Sequence, residues 1–353
     1  MKPRQKRALA IAAELGADGV LAADPATVTW LTGFAGDVES GPSPFALPPL
    51  AVLAAGQPPV LVVSADAEAA ARELGCEVSS YPGFTIGPLE PVAGAARALA
   101  AAAEGRRLAT EPGALPAALA ESVSWVDAAA PLARARAVKD ADEVQLLRSA
   151  LELCDVGQRE ARERASPGLS EIELWCLVRG AVERAAGGRT PLLADLASGE
   201  RTGDTGGPPG ERLLQEGDLL LCDLVPRRAG YWGDSCTTLA IGTAAESARA
   251  KHRRVREALE RGLDAIRPGI RAGELDALVR SDLDYPHHTG HGLGTCWHEE
   301  PRIVPGGTTV LEPGMVAALE PAVYADGEGV RLEQVVLVTE DGCEVLTAFP
   351  LEL

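Results

Sequence analysis

Short apolar runs alternate with helical stretches over the first 130 residues. Asp18–Ala22, Leu50–Ala54 and Pro59–Ser64 are β-rich, bounded by Gly, Pro or Asp, and read as buried strands. Pro3–Leu15, Asp66–Leu74 and Pro91–Glu104 have helical composition, and the Ala-rich Val92–Ala103 suits a helix packed closely through small side chains. Strands alternating with helices predict an α/β domain with a mixed or parallel sheet. The charged segment Arg134–Glu143 then leads into a long helical pattern from Asp140 to about Arg164. A boundary there divides the chain into 1–135 and 136–353.

Beyond it the pattern changes. Ser170 and Glu173 have capping-box spacing, which starts a helix that ends near Gly187-Gly188. Strands are predicted at Leu219–Val225 and Tyr231–Ile241. A helix is predicted at Ala244–Ile266, stopped by Pro268-Gly269, and a shorter one from Gly273. From His287 onward the chain reads as antiparallel strands and loops, clearest at Met315–Val323 and Val330–Thr339. No repeat is detectable, and the fold class is α+β with an α/β domain in front.

Composition narrows the function classes. A formal charge of −18 leaves no net basic surface to displace counterions from phosphates, so a nucleic-acid partner is not expected. Seven scattered cysteines without a C-x-x-C pair fit a reducing compartment better than a disulfide framework. Lys2, Arg4, Lys6 and Arg7 precede the apolar run Ala8–Ala13, but Glu14 ends it too early for a signal-peptide core. No apolar stretch is long enough to span a bilayer. The expectation is a cytoplasmic, soluble protein without a membrane partner.

Candidate chemistry gathers in the second region. Four of the five histidines, His287, His288, His291 and His298, fall within twelve residues of a glycine-rich segment, a metal-binding composition. Asp223 ends the apolar run Leu219-Leu-Leu-Cys-Asp, and Asp234 follows eleven residues later. A hairpin turning around Pro226–Gly230 would bring the two carboxylates face to face across adjacent strands. Glu320 and Glu333 interrupt apolar runs, where ionised glutamates are rarely buried unless paired or metal-bound. Two aspartates, one histidine and two glutamates make a mostly oxygen site. Their four carboxylates balance two divalent cations, Mn²⁺ being favoured with Co²⁺ or Zn²⁺ possible. Such a pair lowers the pKa of a shared water toward neutrality and makes it a nucleophile.

Taken in order, Asp223, Asp234, Gly290-His-Gly-Leu-Gly294, His298-Glu-Glu-Pro301, Glu320-Pro321 and Arg331-Leu-Glu333 resemble the pita-bread metallopeptidase family of methionine aminopeptidase, prolidase, Xaa-Pro aminopeptidase and creatinase. The match covers roughly residues 140–353. Thr29–Phe34 and the Arg136–Glu143 junction resemble the amino-terminal domain of the prolidase and creatinase branches. The resemblance implies metal ligation by Asp223, Asp234, His291, Glu320 and Glu333, with Asp234 and Glu333 as bridges. It implies that Glu320 accepts the nucleophile's proton, that His298 and His287 contact substrate, and that Arg331 holds a carboxylate. His288, Glu299 and Glu300 read as supporting or exposed. There are three departures. The slot of a usual shuttle histidine falls near Gly206, with Asp204 and Glu200 the carboxylates on that loop. Val225 stands for a usual glycine, and Cys236 for a hydroxyl residue.

The implied activity is metal-dependent hydrolysis of the bond before proline, in Xaa-Pro dipeptides first and by a prolidase mechanism. An Xaa-Pro aminopeptidase acting on longer peptides is the runner-up; a loop at Asp37–Phe45 from a neighbouring subunit would decide between them. A metal-dependent C–N hydrolase of a non-peptide amide is a further alternative, and a catalytically dead binding module another. The expected partners are a small peptide substrate and a second copy in a homodimer.

Overall fold

The computed structural model describes residues 1–39 and 43–353, and its contacts separate Met1–Arg136 from Ala137–Leu353. Ser40, Gly41 and Pro42 of the Asp37–Phe45 loop lie outside the described residues. Among the described residues no helix is long and apolar enough to cross a membrane.

The first unit is a six-stranded mixed sheet of β1 (Gly19–Ala22), β2 (Leu50–Ala54), β3 (Val60–Ser64), β4 (Glu77–Tyr81), β5 (Arg107–Thr110) and β6 (Ser124–Asp127), in spatial order β4-β3-β2-β1-β5-β6. Six helices belong with these strands: α1 (Pro3–Glu14), α2 (Pro25–Thr32), α3 (Glu68–Glu73), α4 (Pro91–Ala103), α5 (Ala117–Ala120) and α6 (Ala129–Ala137). Successive strand residues point to opposite faces, so β1 feeds two cores. Val20 and Ala22 pack with Ala8 and Trp30 from α1 and α2. Leu21 packs with Ala98 and Leu99 of α4. Burial on both faces makes the central strands near-continuous apolar runs, which is why β1 to β3 are readable. The edge strands β4 and β6 carry polar residues, as sheet edges do, and gave no apolar signal.

The second unit contains α7 (Ala141–Arg164), α8 (Glu171–Ala186), α9 (Glu246–Ala265) and α10 (Ala272–Val279). The capping box at Ser170 is formed: Ser170 Oγ accepts from Glu173 N at 3.3 Å, and Glu173 Oε2 accepts from Ser170 N at 2.9 Å. Strands β7 (Leu192–Ser198), β8 (Leu219–Arg228), β9 (Tyr231–Trp232) and β10 (Ser235–Ala240) form one antiparallel sheet, with β8 between β7 and β10. A second sheet has the order β12-β11-β13-β16-β17, from β11 (Gly290–Gly292), β12 (Glu299–Ile303), β13 (Val316–Leu319), β16 (Gln334–Val338) and β17 (Cys343–Val345). The pair β14 (Ala322–Ala325) and β15 (Glu328–Arg331) stands apart from it.

Three runs expected as single strands are each broken. Tyr231–Ile241 divides at Gly233-Asp234, Met315–Val323 at Glu320-Pro321, and Val330–Thr339 at Leu332-Glu333. At the second break β13 pairs with β11 and β16, whereas β14 pairs with β15. The chain changes ladders at Pro321, a residue with no N–H to donate.

Candidate active site

Each break delivers a carboxylate to one place. β8 carries Asp223, and its register partners are Asp195 on β7 and Cys236 on β10. The hairpin turns at Ala229-Gly230, both at positive φ (50° and 86°), rather than across Pro226–Gly230. Asp234 therefore does not face Asp223 across a ladder, as the hairpin argument expected. It enters from the gap between β9 and β10. Gly233 permits that gap, because a Cβ there would lie 2.8 Å from both the Ala150 carbonyl oxygen and Cys154 Sγ on α7. Gly290 and Gly292 flank His291 for a similar reason. A Cβ at these positions would fall 2.2 Å from Ala318 O and 1.9 Å from Glu300 O on the neighbouring strands. Glu320 N donates to Thr289 O and Glu333 N to Cys236 O, each at 2.9 Å, which ties both gaps into the surrounding backbone.

Asp223, Asp234, His287, His291, His298, Glu320, Arg331 and Glu333 line one cavity of about 490 Å³. Donor atoms of Asp234, His291 and Glu333 lie within 4.8 Å of one another. His291 Nδ1–H donates to Gly292 O at 3.0 Å, a bond that fixes the tautomer and turns the Nε2 lone pair into the cavity. Burial holds the imidazole neutral by lowering its pKa to about 4. Nε2 stands 3.6 Å from Asp234 Oδ2 and 3.5 Å from Glu320 Oε1, both longer than an ordinary hydrogen bond.

The carboxylates carry the same strain. Burial, then neighbouring carboxylates, raises Asp234 and Glu333 well above the usual range. Asp223 is raised to about 6 by burial, with Arg331 opposing. Asp223 Oδ1 and Glu333 Oε1 are buried without a hydrogen-bond partner in the protein. Buried, mutually repelling acceptors without donors are costly unless a cation sits among them. The donor set therefore fits divalent metal ions.

Glu320 behaves differently. Burial acts to raise its pKa, but a hydrogen bond from His288 and the positive charge of Arg331 outweigh it and hold the carboxyl below its usual range. His288 Nε2 lies 2.7 Å from Glu320 Oε1. The sequence reading gave His288 a supporting or exposed role; it is half-buried and lines the cavity. Glu299 is buried against Lys139, with Nζ to Oε1 at 2.5 Å. His287 Nδ1–H donates to His288 O at 2.7 Å and its Nε2 meets Tyr324 Oη at 3.0 Å, so both ring nitrogens are occupied. His298 lies against Trp297, and its ring centroid is 4.0 Å from that of His291. Arg331 gives Nη2 to Asp223 Oδ2 at 2.5 Å, Nη1 to Tyr324 Oη at 3.1 Å and Nε to Cys236 Sγ at 3.2 Å.

One lining carboxylate escaped the sequence reading. Asp195 interrupts the apolar run Leu192–Ala197, the same signal that marked Glu320. Glu200 and Asp204, the two carboxylates of the Gly206 loop, are exposed and do not line the cavity.

The model of the creatinase/prolidase N-terminal domain matches residues 4–138, and that of metallopeptidase family M24 matches residues 145–340. A probable dipeptidase of Mycobacterium tuberculosis is 35% identical over 248 residues, covering 68% of this chain and 66% of the relative. An Xaa-Pro dipeptidase of Pyrococcus furiosus is 33% identical over 226 residues, covering 62% of this chain and 65% of the relative. In both cases the alignment spans just under two thirds of the relative's length. The structure of an Xaa-Pro dipeptidase from Bacillus anthracis superposes with a TM-score of 0.84 at 25% identity, over 99% of this chain and 98% of that one.

Proposed function

Because the chain belongs to metallopeptidase family M24 and carries a creatinase/prolidase N-terminal domain, we infer that it hydrolyses the peptide bond before proline in Xaa-Pro dipeptides. One observation carries the reading: the neutral Nε2 of His291 opens toward the acceptor oxygens of Asp234 and Glu320 at 3.6 and 3.5 Å, longer than an ordinary hydrogen bond. Asp223, Asp234, His291, Glu320 and Glu333 would hold the cations, two of which balance the four carboxylates. When bound, such ions lower the pKa of a water toward neutrality and polarise the scissile carbonyl.

The chain's own groups supply the rest. Glu320, ionised at neutral pH, accepts a proton from the attacking water, and its hydrogen bond from His288 orients the carboxylate for that transfer. His298 donates an N–H to the oxygen that gains charge. His287 contacts substrate, and the hydrogen bonds on both of its ring nitrogens fix the ring. Arg331, whose guanidinium is pinned at three atoms, meets the substrate's carboxylate. We assign Mn²⁺ as the working ion, a homodimer as the assembly and the cytoplasm as the location; the seven cysteines, all free, support a reducing compartment.

The test is a chelated sample assayed on Ala-Pro, Leu-Pro and Ala-Pro-Ala before and after Mn²⁺. Dipeptide cleavage that appears only with metal and disappears in Asp234→Ala supports the reading. Faster cleavage of the tripeptide makes the enzyme an aminopeptidase. A metal-loaded protein inert to all three overturns Xaa-Pro hydrolysis.

A further inference from the structure

Asp195 and Gly206 occupy one volume. A Cβ on Gly206 would lie 1.9 Å from Asp195 Oδ2 and 2.6 Å from its Cγ. Any side chain at 206 would therefore have to displace the carboxylate, which uses the space that the missing side chain leaves. Asp195 also stands opposite Asp223 in the β7–β8 register, an arrangement of like charges that destabilises a ladder. Arg331 offsets it unequally, with Nη2 2.5 Å from Asp223 and 3.6 Å from Asp195. The Asp195 side chain keeps 40% of its surface exposed, against 16% or less for Asp223, Asp234 and Glu320. It is the open carboxylate of the cavity, outside the five-residue donor set.

We propose that Asp195, in the room made by Gly206, is an anionic subsite that receives a cationic group of the residue preceding proline. This rests on the Xaa-Pro reading. A carboxylate held at a cavity wall, half in water and backed by low-dielectric protein, attracts an ammonium or guanidinium and discriminates against neutral isosteres. The cation has two possible sources, the α-ammonium of the dipeptide or a basic side chain at the Xaa position.

The experiment compares the Mn²⁺-loaded wild type with Asp195→Asn, Asp195→Glu and Gly206→Ala on Lys-Pro and norleucyl-Pro, which differ by the side-chain cation. A basic side chain as the occupant predicts that Asp195→Asn raises KM for Lys-Pro about tenfold, the loss of one ion pair of about 1.4 kcal/mol, and leaves norleucyl-Pro within twofold. An equal rise for both assigns the α-ammonium. Gly206→Ala reproduces either pattern with Asp195 still present, and Asp195→Glu restores part of the loss. Calorimetric binding of L-lysine and L-norleucine to the same proteins reads the subsite without turnover. Weaker binding of either amino acid to Asp195→Asn supports the subsite even if no Xaa-Pro peptide is cleaved, in which case only the proposed function fails. Unchanged KM values and unchanged binding in Asp195→Asn overturn the subsite and leave Xaa-Pro hydrolysis standing.

Discussion

Replacing Glu333 by glutamine should make the metal-free protein more stable, the reverse of what most substitutions of a buried residue do. Glu333 is buried, its Oε1 has no hydrogen-bond partner, and its donor oxygen lies within 4.8 Å of a donor atom of Asp234. Two unit charges at that separation repel by about 3 kcal/mol at an effective dielectric of about 20. At pH 7.5 the alternative is proton uptake by a carboxyl whose ordinary value lies near 4.3, which costs about 4 kcal/mol by the 1.36 kcal/mol per unit rule. Either way the chelated wild type carries about 3 kcal/mol that Glu333→Gln removes, and the new amide can donate to Asp234. For a unit of this size that is about 6–12 °C. Excess Mn²⁺ closes most of that gap, because the wild type gains about 2.7 kcal/mol at a hundredfold excess over Kd and the variant, having lost one ligand charge, gains less. Scanning calorimetry of both proteins in EDTA and in Mn²⁺, following the transition of Ala137–Leu353, reads all four values. A chelated Glu333→Gln that melts at or below the chelated wild type would refute the argument, since Glu333 would then be satisfied by the protein alone.

Other outcomes follow from the same geometry. Lys139→Met leaves Glu299 charged and buried beside His298, and urea unfolding should register a loss of about 3–5 kcal/mol. Gly292→Ala drives a Cβ into Glu300 O, a backbone clash that cannot relax by rotamer change; the loss should be about 3 kcal/mol, read as a lower melting temperature with weaker Mn²⁺ binding. Arg331→Lys keeps the charge but loses the fork that spans Asp223, Tyr324 and Cys236, so KM for Xaa-Pro dipeptides should rise about tenfold or more with a smaller change in kcat.

The sequence was most legible where one physical signal dominated. Helices α7 and α8 declared themselves through Asp140 and Ser170, whose side chains suit a helix start, and through Gly187, whose positive φ of 81° ends α8. Strands buried on both faces were readable for the same kind of reason. What was lost were the interruptions. Apolar residues continue across Asp234, Glu320 and Glu333, so periodicity alone joins strands that hydrogen-bond to different partners. The clue was the charged residue itself, used as evidence for chemistry but not for a change of ladder. Asp195 offered the same clue in Leu192–Ala197 and went unused, because that run was not identified as a strand. His288 could not be assigned from spacing, since its role depends on Glu320 arriving from a segment about thirty residues away.

That three donors stand at strand junctions fixes how the cavity can change. Their positions follow from ladder register, so inserting one residue into β10, β13 or β16 would turn a donor to the opposite face. The rim outside the ladders obeys no such constraint: Thr205 and Trp297 line the cavity from loops and are themselves exposed. An insertion scan should therefore find a rigid floor beneath an adaptable rim, and altered substrate preference should be sought in the rim.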